Sequence, residues 1–600
     1  MTGWSAPASF EERLAEVGVV ALAVLLAAGA LVWAAGELGG LLAHGAWPPM
    51  SISDAPGVAA GLLQHPADPA AGWPAAARRV APPPWLYYGL LGLLLFAVLA
   101  VGLTAASRAF GASSDLRAAG RIPGGLRQLP SVRRQQRPFL AWSGSGPFST
   151  MLMAGSEDCV AVIGPPRVGK TQGVLIPEAL LWDGAVVVAS TKRDVVDATA
   201  ASRRALANAN GGRALLWAPT AQAGGPVEAV DWSPLAGCEA AETCERRVRA
   251  LVTASGAGVG ARHADHWREN AVRVLRGYFH AAAVGGLGVR GILRWLARNE
   301  LREPAIILRR TESAVGDAWA DELEGMARVP HEELGSIFSA ARTSLGALQN
   351  GRVLASCDGS DQLDPDRFLR SRSTLYLVAP TADQDLLAPL AAALVEHIVH
   401  RAYELWDQRL LPARLLLCLD ELANIAPLPS LLRILTQGAS QGVNLVWAVQ
   451  SLAQLRDRYG EQVADAAFSS SRARLVFGGL TDTRDLQAIS QLAGEHEVPA
   501  HSHTRGSGHG QQSVTAGTVW RPRLPVSAIR GIPTGCAVLL YHTSDPALVR
   551  VRLAHRTRLW RRAAQPVLST ARRKPNQRLA MVLRSGVATV RSLPGRWRRG

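Results

Sequence analysis

Apolar residues follow two different patterns along this chain. Near the N-terminus, residues 17–36 and 85–106 contain no charged side chain, and each stretch is long enough to cross the ~30 Å hydrocarbon core of a bilayer as a helix. A cleaved signal peptide is the alternative for the first stretch, but three glutamates precede it and its apolar run is longer than a signal core. The pattern therefore predicts two transmembrane helices.

The distribution of arginines orients these predicted helices. Residues 107–138 contain seven arginines and one aspartate, whereas the basic residues between the two helices are Arg78 and Arg79. Because basic segments stay on the cytoplasmic side, we expect a two-pass protein of the inner (plasma) membrane with both termini in the cytoplasm. Residues 1–107 would form this anchor with a short extracytoplasmic loop, and residues 108–150 a basic cytoplasmic linker.

Further along the chain the apolar runs are short, and several end in polar residues. They predict buried strands at residues 159–163, 186–190, 375–378, 415–419 and 444–449. Parallel strands with helices between them form a doubly wound α/β domain that binds ligands at the carboxyl ends of its strands. The polar residues that follow each strand are therefore the candidates for chemistry.

A phosphate-binding loop follows the first of these strands. It is a full match to the pattern GxxxxGK[ST], with the residues Gly164, Pro165, Pro166, Arg167, Val168, Gly169, Lys170 and Thr171. In such a loop, backbone N–H groups surround phosphate oxygens, the lysine reaches the β and γ phosphates, and the hydroxyl binds Mg²⁺. The chain has only three lysines, and we expect Lys170 and Thr171 to take these two roles toward ATP.

Paired acids follow the strand at residues 415–419. We expect Asp420 to hold Mg²⁺ together with Thr171, and Glu421 to polarise the attacking water as a catalytic group. The next strand ends at Gln450, whose amide is placed to sense the γ-phosphate. Without the P-loop, each feature has a simpler interpretation: Asp420 and Glu421 would be exposed acids at the surface, and Gln450 would be an ordinary polar residue at the end of a strand.

These residues together resemble the type IV secretion coupling proteins of conjugation systems, the TraG/TraD-like ATPases. The resemblance covers about residues 85–550. Besides the P-loop and the acids, it is carried by Ser-Thr-Lys-Arg-Asp at 190–194, Asp-Trp-Ser-Pro-Leu at 231–235, Asp-His-Trp-Arg-Glu-Asn at 265–270, Thr-Leu-Tyr-Leu-Val-Ala-Pro at 374–380 and Gln-Ser-Leu-Ala-Gln-Leu at 450–455. Each piece is weak alone, and their order and spacing are specific.

The resemblance implies an architecture and a function. The fold would be α/β, with a RecA-like P-loop ATPase domain at residues 151–238 and 351–555, an all-α domain inserted at 239–350, and a basic tail at 556–600. The protein would assemble as a homo-hexamer, bind ATP and Mg²⁺, and recruit a relaxase or other nucleoprotein or protein substrate. ATP hydrolysis would then drive this substrate and single-stranded DNA through a type IV secretion channel.

One departure from the family concerns catalysis in trans. The family usually has an arginine before the strand that ends in the sensor glutamine, whereas this chain has Ser-Gln-Gly at residues 440–442. An arginine finger is worth 10³- to 10⁵-fold in rate. Arg433, Arg472 and Arg474 are candidates for this role by position in the sequence. Two other functions stay open: an FtsK-like double-stranded DNA translocase and a membrane receptor that binds nucleotide without hydrolysing it.

The distribution of charged residues indicates which part of the chain could bind a polyanion. The net charge is +16, but residues 556–600 hold thirteen basic residues and no acid. In that tail Leu579, Leu583 and Val587 recur at helical spacing, as in a basic amphipathic segment for anionic lipid or DNA. A solvated, disordered tail is the alternative. Four histidines between residues 494 and 517 lie among Gly and Ser, which predicts a mobile loop rather than a metal site.

Overall fold

The computed structural model describes residues 10–110, 122, 124–131, 134–144, 149–221, 224–256, 264–505 and 512–565. The chain divides into two compact units, Met1–Ala112 and Ser113–Gly600. Most of the predicted basic tail, from residue 566 onwards, lies outside the described residues.

The first unit is helical. It contains α1 (Phe10–His44), α2 (Ala55–Gln64) and α3 (Pro84–Phe110), and α1 and α3 include the two predicted spans. The Tyr87 hydroxyl donates to the carbonyl oxygen of Val32 at 3.0 Å, which ties α3 to α1. Among the described residues, none of the helices combines the length and the apolarity of a membrane span.

The second unit is built on strands, and those at its centre are buried along their whole length. The strands are β1 (Arg127–Gln128), β2 (Phe139–Trp142), β3 (Met151–Met153), β4 (Val160–Ile163), β5 (Val186–Ser190), β6 (Ala214–Trp217), β7 (Glu228–Ala229), β8 (Thr374–Val378), β9 (Leu415–Leu419), β10 (Val443–Val449), β11 (Ala473–Phe477), β12 (Glu495–Arg505), β13 (Gln512–Pro522), β14 (Cys536–Tyr541) and β15 (Ala547–Arg550). Every residue of β4, β5, β8, β9 and β10 is buried, as expected for parallel strands that are covered on both faces.

Thirteen of these strands form one mixed sheet in the order β1-β3-β2-β15-β14-β11-β4-β10-β9-β5-β8-β6-β7. The block from β11 to β7 is parallel, whereas β14, β15, β2, β3 and β1 pair antiparallel and extend one side of it. The prediction of an α/β P-loop fold is confirmed by this arrangement.

Helices cover this sheet and also form a separate cluster. They are α4 (Ile176–Leu181), α5 (Asp194–Asn208), α6 (Ala241–Ala254), α7 (Ala264–Val284), α8 (Gly288–Arg298), α9 (Arg302–Arg309), α10 (Ala314–Met326), α11 (His331–Ser344), α12 (Gly351–Cys357), α13 (Pro365–Arg370), α14 (Gln384–Asp407), α15 (Leu422–Ile425), α16 (Leu431–Arg433), α17 (Leu452–Tyr459), α18 (Glu461–Ser470), α19 (Thr483–Leu492), α20 (Val526–Arg530) and α21 (Arg558–Ala564). The described part of the predicted all-α region 239–350 contains α6 to α11 and no strand.

Three segments differ from their description by sequence. β2 lies in the expected linker and packs in the sheet core through Phe139 and Trp142. α21 lies in the expected tail, and its Trp560 is buried. The prediction of a mobile loop between residues 494 and 517 is wrong for residues 495–505 and 512–517, because β12 and β13 pair antiparallel from Glu495 opposite Pro522 to Arg505 opposite Gln512.

Candidate nucleotide-binding site

The register of three parallel strands brings the predicted motifs to one edge of the sheet. Ile163, the last residue of β4, lies opposite Val449 of β10, and the Gly164 N–H donates to the Val449 carbonyl oxygen at 3.3 Å. β9 pairs with the other side of β10. The P-loop, Gln450 and the paired acids therefore leave the sheet side by side, at the carboxyl ends where α/β proteins bind ligands.

Backbone geometry explains the glycines of the P-loop. Gly169 has φ 104°, a conformation that side chains rarely adopt. At Gly164, a Cβ atom would lie 2.6 Å from Cβ of Phe477, so only glycine fits between β4 and β11. Arg167 also has a positive φ, 66°, and its strained backbone turns the loop so that a helical turn begins at Thr171.

Lys170 is buried beneath the loop that it serves. Its Nζ donates to the carbonyl oxygens of Gly164 at 2.5 Å and of Pro165 at 3.0 Å. Burial lowers the pKa of this ammonium, and the nearby carboxylates of Asp420 and Glu421 oppose that shift. The lysine is thus held in place by the loop's own carbonyls, with its charge close to where phosphate would lie.

Thr171 and Asp420 meet directly. The Thr171 hydroxyl donates to Oδ2 of Asp420 at 2.6 Å, and the Asp420 N–H is fixed by the Ala189 carbonyl of β5 at 2.8 Å. Burial raises the pKa of Asp420 to about 6, although the Thr171 hydrogen bond and Lys170 both favour the ionised form. Two oxygen donors at this separation suit adjacent positions around Mg²⁺.

Glu421 occupies a strained position beside the sensor amide. Its backbone is left-handed, with φ 58° and ψ 52°, a conformation that costs of order 1–3 kcal/mol in a residue other than glycine and that clusters at functional sites. Nε2 of Gln450 donates to its Oε1 at 3.3 Å, and Nδ2 of Asn424 donates to its Oε2 at 3.5 Å. Both oxygens of the carboxylate are thus oriented by amides.

Sequence reasoning assigned no role to two of the supporting residues. Asn424 lies three residues after Glu421 on the first turn of α15, so the spacing of the two residues was visible in the sequence. Gln454 accepts a hydrogen bond from the Gln450 N–H through Oε1 at 3.0 Å. Its contact depends on how β10 turns into α17, and the sequence pattern gave no signal for it.

The three candidate arginines lie away from this edge. Arg472 precedes β11 and contacts Asp158 at 3.5 Å, and Arg474 donates to the Phe468 and Ser469 carbonyls. Because β11 runs parallel to β4, with Ala473 opposite Val160, both are at the edge of the sheet opposite the P-loop. Arg433 ends α16, and it lines a separate cleft. None is brought to the P-loop of its own chain.

Known proteins with similar sequences include members of a conjugative DNA transfer family. Residues 112–524 match the model of the family described as "Type IV secretory system Conjugative DNA transfer". The conjugal transfer protein TraG of Escherichia coli is 24% identical over 410 residues, 62% of each chain. Protein VirD4 of Rhizobium radiobacter is 23% identical over 367 residues, 59% of this chain and 51% of its own length. The chain thus spans about half to three fifths of these relatives.

Solved structures show the same fold. The bacterial conjugative coupling protein TrwBdeltaN70, in its unbound monoclinic form, superposes with a TM-score of 0.53 at 19% identity, over 74% of this chain and 95% of that one. The plasmid coupling protein TrwB in complex with ADP and Mg²⁺ gives a TM-score of 0.50 at 20% identity, over 74% and 96%. Since the family model matches more than two thirds of its residues, this chain belongs to the type IV secretory conjugative DNA transfer family.

Proposed function

We propose that this protein is a membrane-anchored ATPase that couples a nucleoprotein or protein substrate to a type IV secretion channel and drives its transfer. One observation carries the proposal: Lys170, Thr171, Asp420, Glu421 and Gln450 meet at one edge of the sheet. Membership in the family and the fold shared with TrwB, a structure of which contains ADP and Mg²⁺, support nucleotide as the ligand.

Each residue has a distinct part in the proposed reaction. The backbone N–H groups of the P-loop and the Lys170 ammonium bind the β and γ phosphates and neutralise charge that develops there. Glu421 accepts a proton from the attacking water, and Gln450 and Asn424 keep its oxygens in position. The amide of Gln450 links this carboxylate to the state of the γ-phosphate.

The donor set fits Mg²⁺. Thr171 supplies a hydroxyl oxygen and Asp420 a carboxylate oxygen 2.6 Å away, and Mg²⁺ bound to one or two protein oxygens completes its shell with phosphate and water. When bound, the ion would neutralise charge on the phosphates.

The remaining parts of the proposal concern assembly and location. Residues 17–36 and 85–106 would anchor the chain in the inner membrane with both termini in the cytoplasm, and homo-hexamers would place an arginine of one subunit near the nucleotide of the next. Single-stranded DNA, a relaxase and channel components would be the partners.

ATP hydrolysis by the purified full chain, with and without single-stranded DNA, tests the proposal. We expect turnover that DNA stimulates, and Glu421→Gln should bind ATP with wild-type affinity while turnover falls by about 10²- to 10⁴-fold. A wild-type chain that binds ATP without hydrolysing it would instead support the receptor function. Stimulation by double-stranded but not single-stranded DNA would support an FtsK-like translocase.

A further inference from the structure

A second concave site lies in the second unit, between the helical insertion and the ATPase domain. This cleft has a volume of about 260 Å³ and is lined by α6, by α14 and by the segment that leads into α16. It includes none of the P-loop residues or paired acids. Its lining contains four arginines and two histidines, and we call it the arginine cleft.

Two of its arginines form no ion pair with the part of the chain that the structure describes. Arg246 of α6 and Arg433 of α16 are both exposed. Among the described residues, neither has a carboxylate oxygen within 4.0 Å; Arg246 contacts the Thr243 hydroxyl at 3.3 Å instead. Arg249, by contrast, is paired with Glu245 and Glu269. The cleft therefore presents two unpaired guanidinium groups from different parts of the fold.

The acids around the cleft make their closest contacts with other groups, although the charge of Arg433 favours the ionised form of Glu396. The histidines of the cleft add no charge. Glu396 is engaged by Ser430, whose N–H and hydroxyl donate to it at 2.9 and 2.8 Å. Glu404 lies 3.1 Å from His400 Nε2 and also pairs with Arg401. Burial, reinforced by the neighbouring arginines, lowers the pKa of His397 to about 3 and lowers that of His400.

Neutral donors complete the lining. The indole Nε1 of Trp232, which can only donate, lies 3.4 Å from Nδ1 of His397, so the ring proton of the neutral histidine is on Nε2. The Tyr403 hydroxyl is buried, and among the described residues it has no hydrogen-bond partner. A buried hydroxyl without a partner is unfavourable, and a bound acceptor would satisfy it.

We propose that the arginine cleft binds a phosphate group, between Arg246 of the helical insertion and Arg433 of the ATPase domain. Two guanidinium groups suit an anion with several acceptor oxygens, and the neutral donors add contacts that phosphate can accept. The group would be either a backbone phosphate of single-stranded DNA or free inorganic phosphate. The DNA alternative rests on the function proposed above. Its binding would join the two parts of the fold.

The first arm of the test measures DNA. The full chain in detergent is titrated with a fluorescent 20-nucleotide oligo(dT) at several salt concentrations, for the wild type, Arg246→Gln/Arg433→Gln and a matched control. Arg298→Gln/Arg328→Gln is the control, because both residues are exposed and outside the cleft. We expect the cleft variant to weaken binding and to lower the slope of log K against log salt by about 0.7–1.4, for one or two phosphates, while the control binds like the wild type.

The second arm measures inorganic phosphate at constant ionic strength, in a Lys170→Ala background so that the P-loop does not contribute. We expect phosphate to raise the Tm of the Lys170→Ala chain, the cleft variant to lose this rise, and Tyr403→Phe to reduce it. This result supports the site even where DNA binding is unchanged. Equal DNA binding and an equal phosphate response in the cleft and control variants overturn it. ATP turnover without DNA distinguishes the two proposals when it is measured on Arg246→Gln alone, because Arg433 is also a candidate for the arginine that acts in trans; we expect Arg246→Gln to retain this turnover.

Discussion

The burial of Asp420, a proposed Mg²⁺ ligand, lowers the stability of the folded chain when its carboxyl is ionised. Its carboxyl is raised in pKa to about 6 by burial, against about 3.9 in an unfolded chain. The unfolded chain therefore releases this proton at lower pH than the folded chain does. The contribution of Asp420 to stability is consequently lost as pH rises from about 4 to about 6, and above pH 6 it stays constant.

This difference predicts that Asp420→Asn stabilises the chain in the absence of nucleotide and Mg²⁺. At pH 7.5 its Tm should exceed that of the wild type by a few degrees, because a buried charge has been removed. The gain should shrink steadily between pH 6 and pH 4. With Mg²⁺ and ADP present the order should reverse, since the variant loses a metal ligand. Differential scanning calorimetry across pH measures both effects, and a gain that does not change with pH would contradict the argument.

Lys170 predicts a separate effect on affinity. Its ammonium forms no ion pair with a described carboxylate and is held by the Gly164 and Pro165 carbonyls, so Lys170→Ala removes the charge that phosphate meets. We expect affinity for a fluorescent ATP analogue to fall at least tenfold. Arg298→Ala, which removes an exposed charge from the helical insertion, is the control. Unchanged affinity in Lys170→Ala would remove this residue from the site.

At the scale of elements, the sequence predicted a strand and its functional residues correctly where an apolar run was followed directly by polar residues. β4, β5, β8, β9 and β10 are mostly apolar, and the polar residues that follow β4, β9 and β10 mark the site, so both were visible in the sequence. β1, β2 and β3 were not visible, because they are short and because β2 joins the sheet through β15, a partner far along the chain. The contact between Gln454 and Gln450 likewise depends on tertiary geometry.

The β12–β13 hairpin was hidden by its composition. Gly, Ser and His predicted a loop, yet eleven cross-strand pairs align from Glu495 opposite Pro522 onwards. Such pairing is set by backbone hydrogen bonds and cross-strand neighbours, to which composition is a poor guide. The two strands form a sheet of their own, separate from the thirteen-stranded sheet.

This separation predicts that the hairpin is dispensable for folding. Replacing residues 497–520 with Asn-Gly should leave Tm within about 2 °C and leave nucleotide affinity unchanged, because the strands of the large sheet lose no partner. Val549→Asp is the contrasting variant, since it places a charge at a buried position of β15, and it should lower Tm strongly. A large loss of Tm on removing the hairpin would show that it supports the core.

At the scale of the whole molecule, the structure divides the basic tail. The positive charge of the chain is concentrated in residues 107–138 and 556–600, and the remainder is slightly acidic. The beginning of the tail is part of the folded unit, because α21 packs Trp560 edge to face on Phe139 and Trp142 with ring centroids 5.3 and 5.9 Å apart. Nine basic residues follow residue 565.

Two truncations separate these roles of the tail. A chain that ends at Gln565 should keep the wild-type Tm and elute from heparin at lower salt, because it loses nine cations and no described core contact. A chain that ends at Arg556 should in addition lose Tm, since removing a buried Trp costs about 3–5 kcal/mol. Equal Tm values for the two truncated chains would contradict a structural role for Trp560, and an unchanged heparin elution would show that residues 566–600 do not contact the polyanion.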